Sequence, residues 1–487
     1  MVYNILEGNL VMLVVISDIH LTDGTCGKSI SYAAFDLFVN RLQELVFHAS
    51  WREDGRYEPL REVDLLLLGD ILDIQHSTLW LQNKDGGGHD IRPWSDYSNP
   101  EYAPVVREIT RGILKYNASS TRLPRDLAGS RMLSLVPADR DGKPRRLPLR
   151  RLPVKVNIHY MVGNHDWFLH LPGEEFDLIR QEVIEALGLV NSAAPFPHQA
   201  AESMRLSGIL ERHQVYAQHG DLYDTFNFNG ESREVHKRDS AALGDAFAVE
   251  IINRFPVEVE KRMGGELPPG LLTSLRELVN VRPALAAPLW ISSQLRQNNI
   301  PSGTQRKLKD IWDELGEEFL SLPFVRSFDK KGSLNLVDGL RAIIKITDRF
   351  SFSTLDSLVV WIRNKFWEEE ITFAKHALRE NAFLNRKAQF IVYGHTHRHE
   401  VVSLDSIPAL PNPTNQLYLN SGTRHTYFDL AIYKPEDQKF IPYQVLTYLA
   451  FMAILSVGIK ALGGELKKFF YGFTVIFWLT FLCYALG

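Results

Sequence analysis

The sequence predicts an α/β fold that carries a helical insertion and ends in a hydrophobic C-terminal helical hairpin. Three observations support this. Five short apolar runs each end in a cluster of aspartate, histidine or asparagine, the pattern of strands that feed functional loops. Between the fourth and fifth runs, a long segment repeats its apolar residues at helical spacing. Two uncharged, aromatic-rich stretches close the chain.

The five strands come in order. Val11 to Ile16 leads into Ser17-Asp18-Ile19-His20, and Val63 to Leu68 into Gly69-Asp70-Ile71-Leu72-Asp73. Val154 to Val162 leads into Gly163-Asn164-His165-Asp166. Gln214 to Gln218 precedes His219-Gly220-Asp221, and Gln389 to Tyr393 precedes Gly394-His395-Thr396-His397. Ligand sites in α/β proteins lie outside the carboxyl ends of strands, so the clusters are expected to converge. Leu417 to Asn420 and Phe428 to Tyr433 are two further strands that would complete the core. Residues 85–151 hold a glycine run, several prolines and a basic stretch, and predict a surface insertion with little regular structure.

Residues 225–384 predict a helical cap. Leu308, Ile311, Trp312, Leu315 and Phe319 recur at helical spacing, as do Leu358, Trp361, Ile362 and Phe366. Gly264-Gly265 and Pro268-Pro269-Gly270 break the region into pieces. The expected organisation is a catalytic core in two parts, residues 1–224 and 385–445. The cap lies between them, and a membrane-anchor hairpin follows at 446–487. A chain of 487 residues exceeds what one compact core usually holds, in keeping with several units.

The formal net charge of −4 shows no basic excess, which argues against nucleic acid as a partner. Cys26 and Cys483 lie at opposite ends and form no disulfide framework. The apolar run at Val11 to Ile16 is short, lacks a basic segment before it and meets Asp18 at once, so it predicts a strand rather than a signal peptide. The catalytic part is therefore expected in the cytoplasm. Phe469 to Gly487 carries no charge and approaches the roughly 20 helical residues that span a bilayer core. Phe440 to Ile459 is also uncharged, and Lys460 to Lys468 joins the two stretches. The lysines of this link would favour placing it in the cytoplasm, a weak opposing signal with so few charges. The expectation is an enzyme anchored to the inner face of a membrane.

Taken singly, the clusters carry little. An Asp-x-His pair arises by chance, and Gly-Asp-x-x-Asp also describes a turn with a helix cap. Gly394-His395-Thr396-His397 is more pointed, because alternate residues of an extended chain face the same side. Together, each after a strand, they describe a metal site. The ligand set mixes nitrogen and oxygen without thiolate, which suits Mn first, with Fe or Zn as alternatives. Two divalent ions about 3.5–4 Å apart can acidify a bridging water to hydroxide near neutral pH. A carboxylate such as Asp70 can hold one ion on each oxygen, and an Asp–His pair beside the site makes a general acid.

The set Asp18-x-His20, Gly69-Asp70-x-x-Asp73, Gly163-Asn164-His165-Asp166, His219 and Gly394-His395-x-His397 resembles the signature of the calcineurin-like metallophosphoesterases. The resemblance covers the catalytic part and is silent on the helical insertion and the tail. It implies a sandwich of two mixed β-sheets flanked by helices. It also implies that Asp18, His20 and His397 bind one metal ion, that Asn164, His219 and His395 bind a second, and that Asp70 bridges them. His165 would be the catalytic acid near the phosphate, Asp73 the carboxylate that orients it, and Asp166 a support for its loop.

The implied activity is hydrolysis of a phosphodiester, pyrophosphate or phosphomonoester. Protein phosphatases of the group carry arginine directly after the second aspartate, where this chain has Ile74. His219-Gly220-Asp221 is similar to bacterial UDP-diacylglucosamine hydrolases, so the expected substrate is small or lipid-linked and lies near a membrane. The alternatives are a non-catalytic scaffold, which should show gaps in the ligand set, and a membrane-tethered sensor or effector. His213, His399 and His425 are left out of the site, and Asp221 and Asp224 are either substrate-side groups or helix caps.

Overall fold

The computed structural model describes residues 11–81, 91–130, 132–145, 150–229, 238–282, 284–329, 337, 340–341, 372–405, 415–423 and 425–429. Both uncharged C-terminal stretches, the helical repeat at Leu358 to Phe366 and most of the strand expected at Phe428 to Tyr433 lie outside these residues. Among the described residues no helix is long and apolar enough to cross a membrane.

The chain is mixed α/β. Its strands are β1 (Val11–Ile16), β2 (Glu62–Leu68), β3 (Ser134–Leu135), β4 (Leu152–Pro153), β5 (Lys155–Met161), β6 (Val215–Ala217), β7 (Val281–Arg282), β8 (Phe390–Tyr393), β9 (His399–Asp405), β10 (Gln416–Ser421) and β11 (Phe428–Asp429). The first main sheet has the order β1-β2-β5, with Val11 beside Glu62 and Glu62 beside Lys155. The second has the order β6-β8-β10-β9. It is parallel except for the β10–β9 pair, so it alone of the two is mixed. Among the described residues the first sheet is parallel throughout, whereas two mixed sheets were expected. Both faces of its strands are buried, as parallel sheets require.

Strand alternation assigns each face. Met12, Val14, Val63, Leu65, Leu67, Val156 and Ile158 enter a core shared with α1 (Tyr32–Ala49), α2 (Tyr102–Tyr116), α3 (Ala118–Ala128) and α4 (Glu174–Leu187). α1 supplies Phe35, Phe38, Val39, Leu42 and Val46 from one stripe. α4 opens with Glu174, Glu175 and Asp177, which suit its N-terminal dipole, and stops at Gly188 with φ of 70°. The intervening residues Leu13, Leu66, Leu68 and Met161 face the other way. They meet Val215, Ala217 and Val392 of the second sheet, together with α5 (Met204–Arg212). The outer face of the second sheet buries Ile391, Tyr393 and Tyr418 against Phe373, Ala374 and Ala377.

Two sequence expectations need correction. Residues 85–151 are not largely irregular, because α2 and α3 bury Tyr102, Val106, Ile109, Ile113, Leu123 and Leu127 in the first core. Their apolar periodicity outweighs the surrounding glycine and proline signals, and even Pro124 lies inside α3. Nor does β11 complete the core sheets. Its described residues pair in parallel with β7, which belongs to the helical insertion.

That insertion has its own core. α6 (Leu243–Phe247) continues through a π-helical stretch at Ala248–Asn253 into α7 (Arg254–Met263), followed by α8 (Pro269–Arg276), α9 (Ala287–Gln297), α10 (Ser302–Ser321) and α11 (Pro323–Ser327). Leu308, Ile311, Trp312, Leu315 and Phe319 of α10 are buried there as their spacing predicts. The break between α7 and α8 falls at Gly264 to Pro268. Arg92 ties the insertion to the first core, donating from Nε to Glu250 Oε1 at 2.6 Å. Both side chains are largely buried.

Candidate metal centre

The loops after β1, β2, β5, β6 and β8 form one site, and their backbone is unusual. Nine non-glycine residues have positive φ among those described, and five of them are Asp18, His20, Asp70, His395 and His397. The left-handed conformation is unfavourable for such residues, and clusters of it mark functional sites. The first two loops are laced together by backbone hydrogen bonds. Asp18 N donates to Gly69 O at 3.1 Å, Ile19 N to Asp70 O at 2.9 Å and His20 N to Asp70 O at 3.0 Å. Glycine is required where the chains pass closest. A Cβ on Gly163 would stand 2.3 Å from Asp70 Oδ1, and one on Gly394 would stand 2.6 Å from Asp18 Oδ2.

The nine residues singled out in the sequence all come together here. Asp18, His20, Asp70 and His397 can offer ligand atoms within 4.8 Å of one another, and so can Asp70, His219 and His395. Asp70 belongs to both groups. His397 Nε2 lies 3.2 Å from Asp18 Oδ1 and 3.1 Å from His20 Nε2. Asn164 Oδ1 faces the second group, 2.9 Å from His395 Nδ1 and 3.3 Å from His219 Nε2. The far nitrogens are anchored. His219 Nδ1 is 2.9 Å from Leu68 O, and His395 Nε2 is 3.0 Å from Asp224 Oδ2. Such outer contacts fix which nitrogen faces the centre.

Asp73 gathers three imidazoles. His165 Nδ1 lies 2.8 Å from its Oδ1 and His20 Nδ1 lies 3.1 Å from its Oδ2, while His76 Nδ1 is within 3.0 Å of both oxygens. The Asp73–His165 pairing follows the sequence expectation, while the contacts to His20 and His76 add to it. Asp166 braces the loops. Its Oδ1 accepts from Gly163 N at 2.6 Å, and its Oδ2 accepts from Ile71 N at 2.8 Å and Tyr160 Oη at 2.6 Å.

The electrostatics suit a cation. Burial and the charge of His165 push His20 down to about 3, and burial with the Arg282 guanidinium pushes His397 well below its ordinary value. Both imidazoles are thus neutral, the form that coordinates metal. Burial opposes charge on Asp70 and Asp73, but neighbouring imidazoles, His219 and His165 for Asp70, hold both carboxylates well below the usual range. Burial likewise disfavours charge on His219, yet Asp70 and Asp18 hold its pKa well above the ordinary value. His219 Nε2 and Asp70 Oδ2 lie 3.1 Å apart. Even so, Asp70 Oδ2 is buried without a hydrogen bond among the described residues. A buried carboxylate oxygen without a donor, ringed by imidazoles, fits a cation bound between the two groups.

Other sequence candidates separate cleanly. Asp224 holds His395, whereas Asp221 turns away and lies 3.1 Å from His198 Nε2. His213 and His399 are in none of the ligand groups. His425 packs on Tyr427, with its ring nitrogens 3.0 Å from Thr426 O and 2.9 Å from Lys28 O. His76 and Arg282 join the site beyond the residues expected from the motifs: the place of His76 three residues after Asp73 is a local signal, whereas no motif marks Arg282. No family model, curated protein or solved structure matches the chain.

Proposed function

We propose that the chain is a dinuclear-metal phosphoesterase built on the metallophosphoesterase sandwich. Asp18, His20 and His397 would hold one divalent ion, Asn164, His219 and His395 the other, and Asp70 would lie between them. The observation that carries this reading is the position of Asp70, shared by both ligand groups with its Oδ2 lacking a hydrogen-bond donor. Bound there, Mn, or alternatively Fe or Zn, would screen the phosphate charge and acidify an attacking water.

The chain's own residues do the rest. Asp73 orients His165 through Nδ1, leaving Nε2 to face the centre 4.0 Å from Asp70 Oδ2. Burial works against a charged His165, but Asp73 and Asp70 outweigh it and raise its pKa to about 8, so it can donate a proton to a leaving oxygen. The backbone N–H of His165 holds Asp70 Oδ1 at 2.8 Å, which fixes the acid relative to the bridging carboxylate. A scaffold that had lost activity should show gaps in this set, and the set has none.

The substrate class is a small or lipid-linked phosphodiester, pyrophosphate or phosphomonoester. The two uncharged C-terminal stretches support catalysis at the inner face of a membrane through an anchoring hairpin. The full chain in detergent, stripped and reloaded with Mn²⁺, tests the reading beside Asp70→Ala. The expected result is about two ions per chain, hydrolysis of bis(p-nitrophenyl) phosphate, and loss of both in the variant. A folded wild-type chain that binds no divalent metal would refute it and favour the scaffold. Full metal-dependent activity in a chain lacking residues 446–487 would count against a tethered effector.

A further inference from the structure

We infer that Arg282, supplied by the helical insertion, is the residue that grips the substrate's phosphate oxygens beside the metal centre. This inference rests on the phosphoesterase reading and concerns a residue outside every motif of the core.

Arg282 reaches the site through the two-residue pairing of β7 with β11, in which Arg282 lies beside Asp429. Its guanidinium carbon sits 4.3 Å from the centroid of the Tyr427 ring. That ring stacks on His397 at 4.6 Å with the planes 18° apart. Nη1 donates to Val279 O at 2.7 Å and Val281 O at 3.0 Å, and Nε donates to His397 Nδ1 at 3.3 Å. Among the described side chains, Nη2 has no hydrogen-bond partner and no carboxylate pairs with Arg282. The side chain is half-buried, which makes an ionic partner valuable to it.

A cation in this place opposes the positive charge that the site itself collects. Two backbone carbonyls and a tyrosine face nevertheless hold it there. An arriving anion would remove the conflict, because a planar guanidinium offers parallel donors that match two oxygens of a phosphate. An arginine only donates, so the contact to His397 Nδ1 is a donation from Nε. Nε and Nη2 share one edge of the planar guanidinium, a pair of donors that two oxygens of a phosphate can bridge.

The test uses the full chain loaded with Mn²⁺ and compares wild type, Arg282→Gln and Arg282→Lys. The readouts are metal content, thermal melting, and the dissociation constant for inorganic phosphate by titration calorimetry. Arg282→Gln is expected to retain its metal and to bind phosphate roughly 10–100-fold more weakly, the range for a lost charge-assisted hydrogen-bond pair. Arg282→Lys keeps the charge without the fork and should fall between the two. Phosphate affinity within about twofold of wild type in metal-loaded Arg282→Gln would overturn the inference. If that variant does not fold, wild-type affinity in Arg282→Lys overturns it instead. Failure of the wild-type chain to bind metal would strike at the phosphoesterase reading rather than at Arg282, so the two failures are distinguishable.

Discussion

A single methyl group at residue 163 should disable the centre without removing any ligand. Gly163 has no unusual φ, so alanine suits its backbone, and the whole effect must come from space. Its Cβ would stand 2.3 Å from Asp70 Oδ1, 2.7 Å from His219 Cδ2 and 2.8 Å from His219 Nε2. None of these atoms can yield freely. Asp70 Oδ1 is held by the His165 N–H at 2.8 Å, and His219 is tied to Leu68 O at 2.9 Å. Relief therefore moves Asp70 and His219 together, breaking the alignment of both ligand groups. Overpacking of this kind costs about 1–3 kcal/mol of stability. Disturbing the groups that orient ligands costs roughly 10–100-fold in metal affinity. Gly208→Ala in α5 is the control, since nothing lies within 4 Å of its Cβ. Helix propensity should make that change neutral or stabilising by up to about 1 kcal/mol. Titration of metal-free protein with Mn²⁺, beside urea denaturation, reads both effects. Wild-type metal affinity and an unchanged midpoint in Gly163→Ala would show that the loops yield at this point, and the claim of a rigid, close-packed centre would be wrong.

Two further outcomes follow from the same network. Asp166→Asn leaves one acceptor oxygen for three donors, Gly163 N, Ile71 N and Tyr160 Oη, and should destabilise the chain by about 1–3 kcal/mol in urea denaturation. An unchanged midpoint would mean that the brace is dispensable. In the metal-free protein the pKa of His165, near 8, lies above the unfolded value of about 6.5. Its stabilisation is then fully present below about pH 6.5 and is lost as pH rises through 8. Denaturation midpoints of metal-free wild type and His165→Gln should therefore converge between about pH 6.5 and 8. Parallel curves across that window would remove the Asp73–His165 ion pair from the account.

The core and its ligands were legible because they obey local rules. β1, β2, β5, β6 and β8 announce themselves as apolar runs, and a polar cluster after each names its ligands. The α10 stripe was equally plain. What stayed hidden depends on long-range pairing. α2 and α3 were obscured by nearby glycines and prolines, whose turn signal is strong but local. β7 and β11 are two residues each and have no pattern to detect. Arg282 and Tyr427 meet His397 only because those two short strands pair across 147 residues, and no periodicity foretells such a contact.

The division of labour in the site follows from how its parts are supported. Asp18, His20, Asp70, His395 and His397 sit in a backbone conformation that costs of order 1 kcal/mol or more each. They keep it because buried parallel strands stand directly behind their loops and backbone bonds join the loops to one another. The ligand groups are thus in place before any ion arrives, and little of the binding energy is needed to order them. Arg282 is held differently, by a pairing two residues long at the edge of a separate helical core. On the proposed reading, the residue that grips the substrate therefore comes from the insertion, not from the sheets whose loops hold the ligand groups.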